Sequence, residues 1–175
     1  PMKLKPDDLS KVGCVGHIMR MARMPDGSYS MFIHCVSRMR VLSFLKSDRL
    51  IAEVEYVPDQ LVESDELTAY ERNVTASLNK FLEMESSPLP RELLSGMISI
   101  GDPSRQADMV AAHFDIPNKK RQEILETLDV TQRLAKVYEI LVRELELAAL
   151  GQKIHDQIRE RIEASQKEFF LREQL

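Results

Sequence analysis

The architecture of this chain is decided by residues 129–175, which read DVTQRLAKVYEILVRELELAALGQKIHDQIRERIEASQKEFFLREQL. Apolar residues recur there at three- and four-residue spacing, which is the pattern of one face of an α-helix. Asp129 fits an N-cap with Gln132 at the third helical position, and only Gly151 interrupts the pattern mildly. We therefore predict one continuous helix, roughly 70 Å long at 1.5 Å per residue.

The two halves of this helix have different predicted roles. The stripe on the first half is expected to pack on the preceding helices, and it comprises Leu134, Val137, Leu141, Leu145 and Ala148. The stripe on the second half is expected to project as a coiled-coil-like assembly arm, with Ile154, Ile158, Ile162, Phe169 and Phe170 as its apolar residues. The helical pattern reaches Leu175 without a stop signal, so we expect this helix to continue in a longer protein.

Two strand-like runs, 12–24 and 28–42, flank Pro25-Asp26-Gly27, where Asp-Gly favours the positive φ of a tight hairpin. A third predicted strand, 50–57, ends before Pro58. Simple alternation places Val15, Met19 and Met21 on one hairpin face and Cys14, Ile18, Ala22 and Met24 on the other. Because both faces carry apolar residues, we expect one face to pack on the core and the other to meet absent strands or a ligand.

The region between the sheet and the long helix is predicted to be a helical bundle. Ser64 begins one helix, Pro88 and Pro90 break the chain before a short helix at 93–98, and Gly101-Asp102-Pro103 begins another. A further helix is expected at 118–128. The fold class is therefore α+β and mostly α, with a β-rich subdomain at 1–62, a bundle at 63–128 and the long helix at 129–175.

Composition restricts the possible partners. The 175 residues carry a net charge of −4 without a basic stripe, which argues against nucleic-acid binding. No apolar run approaches the length of a membrane span. Cys14 and Cys35 are too few for a disulfide framework. A two-residue hairpin register places Cys35 opposite Ile18, so we expect two free, buried thiols in a reducing cytoplasm.

The sequence also lacks the common motifs of catalysis. It contains no phosphate-binding G-x-x-x-x-G-K-[ST] loop, no H-E-x-x-H and no G-x-S-x-G. His17 and His34 both lie in the hairpin, but no third metal ligand is evident beside them. We therefore assign no catalytic, cofactor-binding or metal-binding residue, and we expect that this chain by itself is not an enzyme.

Several segments resemble the N-terminal region of the Lon family of ATP-dependent proteases. The specific ones are SQKEFFLREQL at 165–175 and LETLDV at 125–130, which Arg133-Leu134 follows. In the family's order, the resemblance also includes Lys5-Pro6-Asp7-Asp8-Leu9, Val12-Gly13-Cys14-Val15, Pro25-Asp26-Gly27 and Arg38-Met39-Arg40-Val41.

The resemblance implies a β subdomain similar to the PUA class, a helical bundle and a long helix that leads toward an ATPase domain. It implies recognition of unfolded, damaged or degron-bearing proteins and assembly as a homohexamer. ATP, Mg²⁺ and the serine–lysine peptidase site would belong to domains that this chain lacks. The family's first strands are also missing, so we expect a fragment with an incomplete β subdomain.

The preferred hypothesis is a substrate-recognition and assembly module of a cytoplasmic Lon-like serine protease. Its predicted substrate-binding residues are Met19, Met21, Met24, Tyr29, Met31 and Phe32. The alternative is a non-enzymatic adaptor or structural protein that dimerises through the long helix. RNA or DNA binding is a third, weaker alternative, since PUA-like sheets can bind nucleic acid. The net negative charge of the chain argues against it.

Overall fold

The computed structural model describes residues 5–47, 49–85 and 87–173. Within them a three-stranded antiparallel sheet of order β1-β2-β3 is followed by helices, which confirms the predicted α+β class. The strands are β1 Val12–Arg23, β2 Tyr29–Leu45 and β3 Ile51–Val57. The helices are α1 Asp65–Glu83, α2 Arg91–Ile98, α3 Pro103–His113, α4 Asn118–Glu126 and α5 Val130–Glu173. The proposed three-domain division stays a prediction.

Side-chain caps begin three of the helices at the predicted positions. The Ser64 hydroxyl accepts from the Leu67 amide at 3.0 Å, and Asp102 accepts from the Ser104 amide at 2.9 Å. Asp129 accepts from the Gln132 amide at 2.9 Å. Each cap satisfies a backbone N–H that has no partner within its helix. The positions of Ser and Asp in the sequence therefore determine where the helices begin.

The hydrophobic core lies between α5 and the shorter helices. Leu134, Val137 and Leu141 of α5 are fully buried, while Leu145 and Ala148 are partly buried against the same core. This confirms that the first apolar stripe of the helix packs on the domain. Other core side chains come from α1 to α4 and from the residue that follows α3, and they include Val74, Leu78, Phe81, Leu94, Val110, Phe114 and Ile124.

The β1–β2 hairpin turns at Gly27, whose φ of 83° suits glycine. Its strands do not alternate regularly, because Met19 is an extra residue between the pairs Ile18↔Ile33 and Arg20↔Phe32. A bulge of this kind inverts which face the following residues occupy. The predicted faces are therefore wrong beyond Ile18: Met21 shares the face of Ile18, and Ala22 lies on the opposite face.

The register, which the turn and the Met19 bulge shift before Cys35 is reached, also corrects the prediction for the cysteines. Val15 pairs with Ser37 and Gly16 pairs with Cys35, so Cys35 does not lie opposite Ile18. Both cysteines are exposed rather than buried, although both are free. The expected register counted residues symmetrically from the turn, and each unpaired residue shifts that count by one.

A cluster of charged and polar side chains, in which both arginines are buried, joins the sheet to the helices, and we call it the ionic joint: Arg38, Asp59, Ser104, Asp108 and Arg133. Arg133 is 0% exposed, and its guanidinium donates to Asp59 at 2.6 Å and to the Ser104 hydroxyl at 2.8 Å. Arg38 of β2 donates to Asp59 at 3.0 Å and also to Asp108 of α3. Ser104 donates to the second oxygen of Asp59. One carboxylate thus holds a strand, a loop and two helices together.

The surroundings of Asp59 set its pKa. Desolvation raises the pKa of this carboxyl, but hydrogen bonds from Arg133 and Ser104 and the charges of Arg133 and Arg38 outweigh that effect. The pKa in the folded protein therefore lies below the ordinary value of 3.8. A carboxyl with a depressed pKa stabilises the fold above its unfolded-state pKa, and this contribution is lost as the pH falls through the folded-state pKa.

We predict that Asp59→Asn lowers the free energy of unfolding at pH 7 by about 1–3 kcal/mol, because two buried guanidinium groups lose their shared anion. The difference between variant and parent should shrink as the pH falls from about 3.8 toward the lower pKa that Asp59 has in the folded protein, where its carboxyl becomes neutral. Urea denaturation at several pH values measures both effects. Asp115→Asn, the same change at an exposed carboxylate, is the control. An equal loss in both variants would contradict a special role for Asp59.

Candidate functional site

The end of the hairpin farthest from the helices is a two-stranded ribbon. Strand β3 pairs with β2 only over 38–45, so in the described part of the chain residues 29–35 of β2 pair with β1 alone. We call residues 16–23 and 29–35 the hairpin ribbon. All of its side chains are exposed. An isolated ribbon gains little stability from its own contacts, so the exposed apolar residues on it require an explanation.

One side of the ribbon is almost entirely apolar. The register pairs Ile18 with Ile33 and Met21 with Met31, and Tyr29 lies opposite Arg23 on the same side. Ile18 is 62% exposed and Ile33 is 47% exposed, while the other large apolar residues lie between these values. We call Ile18, Met21, Tyr29, Met31 and Ile33 the apolar ribbon face.

The opposite side of the ribbon is polar and partly basic. Phe32 lies opposite Arg20, and His17 lies opposite His34. Phe32 is 69% exposed and is the large apolar residue of this side. The two histidines are neighbours as expected, but the described residues contain no group of three or more potential metal ligands.

The structure distributes the predicted substrate-binding residues over different positions, and all of them are exposed. Met21, Tyr29 and Met31 lie together on the apolar ribbon face, whereas Phe32 lies on the other side. Met19 is the bulge residue, and Met24 follows the end of β1 in the turn. Their role in binding stays a prediction.

Sequence reasoning omitted Ile18 and Ile33, which complete the apolar ribbon face. Both were visible as apolar strand residues, but regular alternation placed Ile18 on the side opposite to Met21. The bulge at Met19 brings them to the same side. A bulge leaves no reliable mark in the sequence, so the structure was needed to find this set.

The apolar ribbon face suits contact with apolar groups of another molecule rather than chemistry. Exposed apolar side chains release water when a partner covers them, which contributes on the order of 25 cal/mol per Å². Methionine side chains are flexible and polarisable, so Met21 and Met31 can adjust to partners of different shape. The surface therefore favours binding that is broad rather than specific for one ligand.

A second exposed apolar surface lies on the last part of α5. Every side chain from 149 to 170 is exposed, over roughly 33 Å of helix. Ile154 is 48% exposed and Phe169 is 61% exposed, and Ile158 and Ile162 lie between these values. Phe170 is also exposed, with its ring centroid 6.4 Å from that of Phe169. Residues 149–170, which we call the arm, thus extend beyond the core.

Among the described residues, no helix combines the length and the apolar content that crossing a bilayer requires.

Comparisons with known proteins agree on one family. The family model described as "ATP-dependent protease La (LON) substrate-binding domain" matches residues 3–143. A Lon protease of Dictyoglomus thermophilum is 39% identical over 173 residues, which is 97% of this chain and 22% of that protein. Lon protease 2 of Thermus thermophilus is 35% identical over 98% of this chain and 21% of its own length. The chain therefore spans about a fifth of these relatives.

A solved structure supports the fold. The N-terminal domain of the Mycobacterium avium complex Lon protease matches with a TM-score of 0.63 and 23% sequence identity. The match covers 80% of this chain and 74% of that domain. At this level of identity the comparison shows a shared fold.

The arm leads to a testable prediction about stability. A helix without tertiary packing has little intrinsic stability in water, so amides of residues 152–170 should exchange much faster than those of 134–141. If the apolar stripe of the arm pairs with a second copy, protection of 152–170 should increase with protein concentration. Hydrogen exchange at two concentrations measures this. Strong protection that does not depend on concentration would contradict the projecting arm.

Proposed function

The chain belongs to the Lon substrate-binding domain family, and from this membership we propose that its apolar ribbon face makes the first contact with unfolded protein substrates. The family places the chain in the substrate-recognition part of a Lon protease. The proposal adds the surface that performs this role and the kind of substrate that it accepts.

The observation that carries the proposal is the apolar ribbon face itself. Folded proteins bury most of their large apolar side chains, whereas an unfolded chain exposes them in irregular order. Five large apolar side chains that remain exposed on one side of a ribbon offer a matching surface. The two methionines at the centre of this surface allow it to accept different sequences. Recognition of unfolded or damaged proteins requires this lack of strict specificity.

The binding is expected to be weak for a single site. An unfolded segment loses conformational entropy when it binds, and the ribbon offers a small apolar area without a deep pocket. Several copies in one assembly would increase the effective affinity for a long unfolded substrate. This argument links the ribbon to the proposed homohexamer, in which the arm residues Ile154, Ile158, Ile162, Phe169 and Phe170 would contact neighbouring copies.

The activity of the whole protein is also part of the proposal. We expect the parent to be an ATP-dependent serine endopeptidase that degrades unfolded, damaged and short-lived regulatory proteins in the cytoplasm. ATP and Mg²⁺ would bind in its ATPase domain. The family match does not favour the alternative of a free-standing adaptor.

The ribbon hypothesis predicts that Met21→Ser combined with Met31→Ser weakens binding of an unfolded substrate by roughly tenfold. Each methionine is about half exposed, so the pair together loses on the order of 1–2 kcal/mol of apolar contact. Fluorescence anisotropy with a labelled, reduced and alkylated protein measures the change, and circular dichroism verifies the fold.

Two matched controls test whether the apolar ribbon face is responsible. Phe32→Ser removes an exposed apolar side chain from the other side of the same ribbon, and Ile158→Ser with Ile162→Ser removes two from the arm. At a protein concentration where the chain is monomeric, both should bind the unfolded protein nearly as well as the parent. If Phe32→Ser weakens binding more than the methionine pair does, the substrate contacts the opposite side and the proposal is wrong.

A further prediction concerns catalysis. The purified chain should hydrolyse neither ATP nor casein, because its sequence contains no phosphate-binding loop and we assign it no nucleophile. Phosphate release and peptide release from a fluorescent casein measure the two activities. An ATPase activity that copurifies with the chain through several columns would contradict this assignment.

A further inference from the structure

The two cysteines lie near each other on the hairpin, although they are not directly paired. Cys14 pairs with Arg38, and Cys35 pairs with Gly16. Cys14 and Gly16 are two positions apart on β1 and therefore lie on the same side of the sheet. Cys14 and Cys35 are thus diagonal neighbours on one side of two adjacent strands.

Gly16 lies between the two cysteines on this side and contributes no side chain of its own. A Cβ atom at this position would lie 2.5 Å from Cγ2 of Ile33, so the Ile33 side chain excludes a larger residue here. The unpaired Val36 directly follows Cys35 and bends β2 at this point. Strand register, the missing side chain and the bulge together allow the cysteine side chains to approach each other.

The surroundings of Cys14 support this proximity. Burial raises the pKa of Cys14, and the neighbouring Cys35 thiol raises this pKa further through direct interaction. Arg38 acts in the opposite direction, and Asp108 adds to the increase. Both cysteine residues are nevertheless exposed, so a small reagent can reach them.

We propose that Cys14 and Cys35 form a redox-active pair that closes reversibly into an intramolecular disulfide between β1 and β2. The site lies between the apolar ribbon face and the ionic joint, since Cys14 is paired with Arg38. A bond there would tie the base of the ribbon to the strand that anchors it. This role is separate from the proposed binding of substrates.

The oxidant is a small-molecule disulfide, and glutathione disulfide serves as the probe. One cysteine thiolate attacks a sulfur of the probe, its S–S bond breaks, and one glutathione thiolate leaves. The second cysteine thiolate then attacks the mixed disulfide, which forms the Cys14–Cys35 bond and releases the second glutathione. The two thiol protons are taken up by the two released thiolates. The protein loses two electrons and two protons, and one glutathione disulfide becomes two glutathione molecules.

The pH dependence of closure follows from the same surroundings. Only the thiolate attacks, and a raised pKa leaves little thiolate of Cys14 at neutral pH. The rate of closure should therefore increase as the pH is raised from about 7 to 9, within the ordinary titration range of thiols.

Mass spectrometry of the chain incubated with glutathione disulfide tests the proposal. The expected product is monomeric, has lost the mass of two hydrogen atoms and no longer reacts with iodoacetamide, and dithiothreitol restores both thiols. Cys14→Ser and Cys35→Ser should each stop at one glutathione adduct. Because both residues are exposed, these replacements should leave the circular dichroism unchanged.

Other outcomes would overturn the proposal. Two stable glutathione adducts on the parent chain would show that the thiols cannot reach each other. Disulfide-linked dimers as the main product, or two thiols that remain free, would do the same. As a second measurement, hydrogen exchange of ribbon amides should become slower in the oxidised form. This change should be absent from both single variants after the same treatment.

Discussion

The structure depends on the shared anion at Asp59. This carboxylate lies between two guanidinium groups, Arg133 from α5 and Arg38 from β2, and Arg133 is completely buried. Removing a positive charge from water costs several kcal/mol unless a hydrogen-bonded partner compensates. Asp59 compensates both buried arginines at once, and Asp108 of α3 lies within ion-pair distance of the same two side chains. The joint therefore fixes the direction in which the hairpin leaves the helical bundle.

This fixed attachment lets the hairpin serve as a binding element. The base of the hairpin is held by the ionic joint and by a hydrogen bond from Gln122 to the carbonyl of Val12. The ribbon beyond it presents its apolar side chains to solvent. A helical core supplies most of the stability, so the ribbon is free to keep residues that suit a partner rather than the fold. Segments that bind a partner often have lower local stability than the core that carries them.

Prediction from the sequence succeeded where a local rule was sufficient. The caps at Ser64, Asp102 and Asp129 and the turn at Gly27 depend on neighbouring residues only, and they were found in the expected places. The candidate site was predicted in part. Met21, Tyr29 and Met31 form one surface. Alternation along β2 alone puts Phe32 on the other side and Ile33 beside Met31, whereas Ile18 joins this surface only because of the Met19 bulge on β1.

The sequence by itself determined the family, the order of strands and helices, and the division of α5 into a buried half and an exposed half. These properties follow from periodicity and short motifs, which act over a few residues. Only the tertiary structure decided which residues share a side of the ribbon, that Cys14 and Cys35 lie near each other, and that Arg38 and Arg133 share Asp59. The physical reason is the distance along the chain between the residues that interact. Register shifts and buried ion pairs join residues up to 74 positions apart, and no local pattern specifies which of many possible partners they meet.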